Sequence, residues 1–160
     1  MDLIHITSLS SAIKIMSTGL FHPFSSNPSD GDSGMNCFDL SGPKTPQHFE
    51  GCGAILLLEW TGGIIVNNIS SAIIPPYPLN TLIDNSPWRC FIPRDNNPDL
   101  LLLKGIDFTQ DEYKKYFGYP WWFRFLGKHS YDEKSNNYFK NKMQELNERL
   151  SNSPVKIKIC

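Results

Sequence analysis

The chain has 160 residues, 40% of them apolar and 19% charged, with 15 Lys and Arg against 16 Asp and Glu. That length supplies one hydrophobic core and not two comfortable ones, so a single domain spanning 1–160 is expected. Balanced charge argues against disorder driven by self-repulsion and against a generic surface for nucleic acid. No apolar run approaches the roughly 20 residues of a membrane helix, so no membrane partner is expected.

The chain opens on Met1-Asp2-Leu3-Ile4-His5, with no basic or apolar leader and no small-residue cleavage site. Cys37, Cys52, Cys90 and Cys160 are scattered, without a Cys-x-x-Cys pair. Reduced thiols and a cytoplasmic location fit this pattern, with disulfides in a secreted protein as the alternative.

In chain order, Leu3-Ile4-His5-Ile6 predicts a short strand. Leu9, Ala12, Ile13 and Met16 then fall on one face of a helix capped by Ser8 or Ser10 and closed at Gly19. The stretch Phe24–Glu50 is rich in Ser, Asn, Asp, Gly and Pro and reads as a long binding loop, anchored by Met35, Cys37, Phe38 and Leu40. Gly53–Trp60 reads as a strand buried on both faces, forming a hairpin with Ile64-Ile65-Val66 across Gly62-Gly63. Ile69–Asn85, interrupted by three prolines, is a connector.

Trp88–Ile92 and Leu100–Phe108 are expected to pair as a second hairpin. Thr109-x-x-Glu112 predicts a capping box for a helix Gln110–Tyr116 that stops at Gly118. In the aromatic run Tyr119–Leu126, alternate residues of a strand would enter the core while Arg124 and Lys128 stay in water; a base-stacking platform and a protein-binding patch are the alternatives. A second capping box, Ser130–Glu133, precedes a helix Asp132–Leu150 with an apolar face of Phe139, Met143, Leu146 and Leu150. Val155–Ile159 alternates as a terminal edge strand with its lysines outward. Strands and helices without regular alternation predict an α+β fold: a mostly antiparallel split sheet of about six strands with flanking helices.

His5, His22, His48 and His129 have no spacing that suits a metal, and no Walker loop, Gly-x-Ser-x-Gly or Gly-x-Gly-x-x-Gly is present. The block Leu3–Phe21 carries a first-strand His5-Ile6-Thr7, a short helix with Ile13 near its middle and a Gly19-Leu20 exit. In this it resembles the opening of the histidine-type ADP-ribosyltransferase superfamily, and Gly34-Met35-Asn36-Cys37-Phe38 resembles that family's glycine-plus-aromatic second block.

The resemblance implies an ADP-ribosyltransferase-like fold and an enzyme that uses NAD, without a metal, to modify a macromolecular acceptor, as a bacterial or phage toxin or effector does. By the resemblance His5, Thr7, Ser8, Phe21 and Phe38 would bind NAD, with His5 also in the catalytic set. The family opens a late strand with a glutamate that stabilises the oxocarbenium-like ribose. Here Trp88 or Arg89 stands at that place, with Glu59 and Asp84 as the nearest carboxylates and Arg89 suited to a phosphate. The competing readings are a non-catalytic nucleotide-ligand or protein-binding module on the same fold, and a small immunity or interaction protein. Taken alone, His5 also reads as a satisfied core histidine, Thr7 as a helix start, Phe38 as a loop anchor, and Glu59 and Asp84 as surface acids.

Overall fold

The computed structural model describes residues 1–23, 34–39, 53–62, 89–94 and 96–160. Its elements are β1 (Asp2–Thr7), α1 (Leu9–Thr18), β2 (Leu20–Phe21), β3 (Gly34–Asp39), β4 (Ala54–Trp60), β5 (Arg89–Pro93), β6 (Leu101–Phe108), α2 (Gln110–Tyr116), a 3-10 turn (Trp121–Phe125), α3 (Lys128–Asn152), β7 (Val155–Lys156) and β8 (Lys158–Ile159). The architecture is α+β. Six strands in the order β5-β3-β1-β4-β6-β7 form an antiparallel sheet, and β2 and β8 pair in parallel as a second, two-stranded one.

Local chemistry explains α1. The Ser8 side chain accepts from the Ser11 N–H at its start. At its end Gly19 adopts a left-handed φ of 67° and donates to the Ile15 carbonyl, the geometry glycine supports without strain. The fully buried stripe is Leu9, Ala12 and Ile15, with Ile13 and Met16 packed only partly against the core. Removing a buried Leu or Ile side chain from water contributes about 1.5–3 kcal/mol.

The central strands put their core residues on one face. Leu3, His5 and Thr7 of β1 lie opposite Leu58, Leu56 and Ala54 of β4, which in turn face Leu103, Ile106 and Phe108 of β6. A bulge between Leu57 and Leu58 absorbs Lys104 as an extra residue of β6. Both halves of that strand thereby keep the same side inward, and Leu101, Leu103, Ile106 and Phe108 are all buried. Asn147 of α3 fastens the helix there: its Oδ1 accepts from Ile106 N–H at 2.8 Å and its Nδ2 donates to the Ile106 carbonyl at 2.9 Å.

Several sequence expectations are corrected. Gly34–Asp39, expected within a long loop, is strand β3, because Met35 and Cys37 alternate into the core from a polar stretch; the rest of Phe24–Glu50 lies outside the described residues. The hairpin of Trp88–Ile92 with Leu100–Phe108 does not form. β5 pairs with β3 and β6 with β4, and β3, β1 and β4 separate them. Both edges of β4 are taken by β1 and β6, while Ile64–Val66 and the connector Ile69–Asn85 lie outside the described residues.

The aromatic run is a 3-10 turn and not a strand, and it follows a proline at position 120. α3 starts at Lys128 without a side-chain cap, so Ser130 and Glu133 lie inside the helix instead of boxing its start. Thr109 does cap α2, accepting from Glu112 N–H at 3.3 Å, and Gly118 follows that helix with φ 70°. The C-terminal strand is divided: β7 extends the large sheet beside β6, and β8 crosses to β2, with Ile157 and Ile159 fully buried and both lysines outward.

Candidate functional site

β1 carries the candidate residues because its two-residue period sends His5 and Thr7 to the same side of the sheet. The β1–β3 ladder pairs Leu3 with Asp39 and Ile4 with Phe38. Beyond that pairing the His5 imidazole takes over the next carbonyl, with Nδ1 2.7 Å from the Asn36 oxygen. A carbonyl only accepts, so Nδ1 carries the hydrogen and Nε2 of the neutral ring presents a lone pair.

Burial pushes the His5 pKa down, and the bond to the Asn36 carbonyl opposes that shift. The ring is thus held neutral and in one tautomer. Phe21 of β2 meets it edge-on, with centroids 5.0 Å apart and planes at 83°. Nε2 has no hydrogen-bond partner among the described residues.

His5, Thr7 and Phe21 are therefore brought together, with Ser8 directly beyond. The Ser8 hydroxyl is engaged at the start of α1, within 3.0 Å of the Ser10 and 2.9 Å of the Ser11 hydroxyl, and Gly53, with φ 79°, lies against the Thr7 carbonyl. Phe38 pairs with Ile4, so the pleat places it on the opposite face from His5. Glu59 is on that opposite face too, across from Asp2, and its carboxylate is 3.1 Å from the Lys104 ammonium. Arg89 lies on β5 across from Phe38, two strands from β1; its side chain and all of Asp84 lie outside the described residues. The structure thus assembles part of the expected constellation and separates Phe38 and Glu59 from it.

Cavities among the described residues lie elsewhere. One, of about 430 Å³, lies between α1, α2 and α3, with Met16, Tyr113, Phe117 and Leu146 among its apolar walls and Lys142, Glu145 and Arg149 at its rim. Burial, helped by the neighbouring Tyr138 and Tyr119 phenols, pushes the Tyr113 pKa to about 12, so the phenol is un-ionised at neutral pH. The other, of about 410 Å³, sits at the β6 bulge beside Asn147. Neither is lined by His5, Thr7 or Phe21. The first was only half legible in sequence: Ile13 and Met16 read as core face, whereas the α2 and α3 residues that complete the groove come from more than 90 positions away.

Among the described residues no group of three or more His, Cys, Asp or Glu is placed to hold a metal, and no helix is long and apolar enough to cross a membrane. No family model, curated protein or solved structure matches the chain.

Proposed function

We propose that the chain is an ADP-ribosyltransferase-like protein that binds NAD at the Thr7 end of β1, next to His5, and uses it to modify a macromolecular acceptor. The observation that supports this reading is the His5 imidazole itself, with Nδ1 committed to the Asn36 carbonyl, Nε2 without a partner among the described residues, and Phe21 edge-on to the ring. A ring held neutral suits a ribose hydroxyl donor, and an adjacent aromatic suits the nicotinamide.

In the reaction the bond between ribose C1′ and nicotinamide breaks, and its electron pair leaves with nicotinamide. The acceptor nucleophile then bonds to C1′ and gives up its proton to a carboxylate, which also stabilises the oxocarbenium-like state. Glu59 is engaged with Lys104 on the other face, so this reading assigns the carboxylate role to Asp84. A non-catalytic nucleotide binder is the second reading, and the position of Glu59 favours it.

The test measures nicotinamide release from NAD and the thermal midpoint with NAD or ADP-ribose. The transferase reading expects release that His5→Ala and Asp84→Asn abolish and Glu59→Gln leaves intact. Thr7→Val, which keeps the side-chain shape, should weaken NAD binding without unfolding the chain. A midpoint raised by ligand without turnover selects the binder. Absence of both responses overturns the proposal.

A further inference from the structure

Among the described residues, the 3-10 turn Trp121–Phe125 departs furthest from an ordinary surface. Phe123 is its inward residue, 2% exposed, while Trp121, Trp122 and Phe125 are 69%, 43% and 72% exposed. Scattered single hydrophobics are normal on a protein surface; three large rings on one turn are not. The turn is also anchored. Phe123 stacks on Tyr119 with centroids 5.4 Å apart and meets the edges of Tyr131 and Tyr138, so the outer rings project from a packed base.

Charge is concentrated at the same place. From Tyr113 to Tyr131 the chain contains no Asp or Glu but has Lys114, Lys115, Arg124 and Lys128, all of them exposed. Glu112 lies 3.9 Å from Lys115; among the described residues Lys114, Arg124 and Lys128 have no carboxylate at ion-pair distance. The excess is confined to the turn and its near flanks, since Asp111 and Glu112 precede this stretch and Asp132 and Glu133 follow it.

Arg124 decides what such a surface suits. Its guanidinium lies 5.5 Å from the Trp121 ring and 5.0 Å from the Phe125 ring, and those two rings meet edge to face at 5.8 Å. The cation therefore occupies one face of each ring, leaving less of both for a stacked base. At a bilayer interface, by contrast, Trp and Phe enter at headgroup depth while Arg and Lys reach lipid phosphates from alongside.

We propose that Trp121, Trp122 and Phe125, flanked by Arg124 and Lys128, form a docking surface for an anionic phospholipid bilayer. This departs from the expectation of no membrane partner, which rests on the lack of a spanning apolar run; binding here is peripheral and reversible, with few rings inserted and the cations holding the surface to the headgroups.

The test is co-sedimentation of the full chain with vesicles of equal parts phosphatidylserine and phosphatidylcholine, and with phosphatidylcholine alone. The expected result is binding to the anionic vesicles that weakens as salt is raised. Arg124→Gln should lower the partition about fivefold, the equivalent of about 1 kcal/mol per cation near an anionic surface. Trp121→Ser with Phe125→Ser should lower it about tenfold or more at an unchanged thermal midpoint, because both side chains are exposed.

Failure to bind anionic vesicles overturns the proposal, as does binding that survives the double substitution or is equal on phosphatidylcholine alone. Two further outcomes overturn it: capture of a single-stranded oligonucleotide in place of vesicles, and a dimer by light scattering that the double substitution dissolves without any vesicle binding having been seen.

Discussion

Asn96 grips the C-terminal tail with both ends of its amide: Oδ1 accepts from Ile159 N–H at 2.8 Å, and Nδ2 donates to the Ile157 carbonyl at 3.0 Å. The side chain is buried, as are Ile157 and Ile159. It thereby holds β8 against β2, where the Cys160 N–H donates to the Phe21 carbonyl, and so fixes the ring that meets His5. Asn96→Ala leaves two buried backbone groups unmade, at about 1–3 kcal/mol each. Urea unfolding should show a loss of about 2 kcal/mol or more, and the Ile159 amide should exchange faster. An unchanged midpoint would show that the tail finds other partners.

The His5 pKa sets a pH dependence of known sign. Burial lowers it below the ordinary 6.5, so below pH 6.5 the unfolded chain takes up a proton at this ring that the folded chain does not. Stability therefore falls as pH drops from 6.5 toward the folded-state pKa, and it is flat in this respect above 6.5. In His5→Gln that part of the slope should disappear. Chemical denaturation at a series of pH values measures it, and an identical slope in both proteins would refute the assignment.

Gly53 permits the turn into β4. Its φ of 79° lies in the left-handed region, and a Cβ there would run into the Thr7 carbonyl. Gly53→Ala meets both a conformational and a steric cost, so a loss of about 1–3 kcal/mol is expected from the conformation alone. Gly127→Ala, where φ is -63° and a Cβ meets nothing within 4 Å, is the control: thermal unfolding should show only the smaller loss, about 0.5–1 kcal/mol, of replacing glycine by alanine at a helix N-cap.

Asn147 connects α3 to the β6 bulge through both polar atoms of Ile106 and also donates to the Met143 carbonyl at 3.0 Å. Asn147→Ala should destabilise by about 1–3 kcal/mol for each backbone group left unpaired and out of water. The effect should be localised, with Ile106 amide exchange accelerated more than that of the β1 amides. Uniform acceleration would mean that the helix contact is shared along the whole strand.

The aromatic rings divide by depth. Phe123 is buried and should cost about 3–5 kcal/mol on replacement by Ala, whereas Trp121→Ser should change stability by no more than about 0.5 kcal/mol, as exposed positions generally do. Thermal or urea unfolding of the two variants tests this directly. A large loss in Trp121→Ser would place that ring in the folding core and remove it from the docking surface.

Sequence alone determined the elements whose causes act within a few residues. The Ser8 cap and left-handed Gly19 bound α1, Thr109 and Gly118 bound α2, the apolar runs make β1, β4 and β6, and the lysine alternation of the tail faces outward as its period requires. Tertiary structure decided what depends on partners far along the chain. Met35 and Cys37 became a strand because β1 and β5 offered edges to pair with. The tail divided because Asn96 and β2 captured its second half. Glu59 was separated from His5 because the register against Asp2 placed it on the other face. Caps and periodicity are local in the chain, whereas strand order and facing are set by competition among apolar surfaces that meet only when the chain has folded.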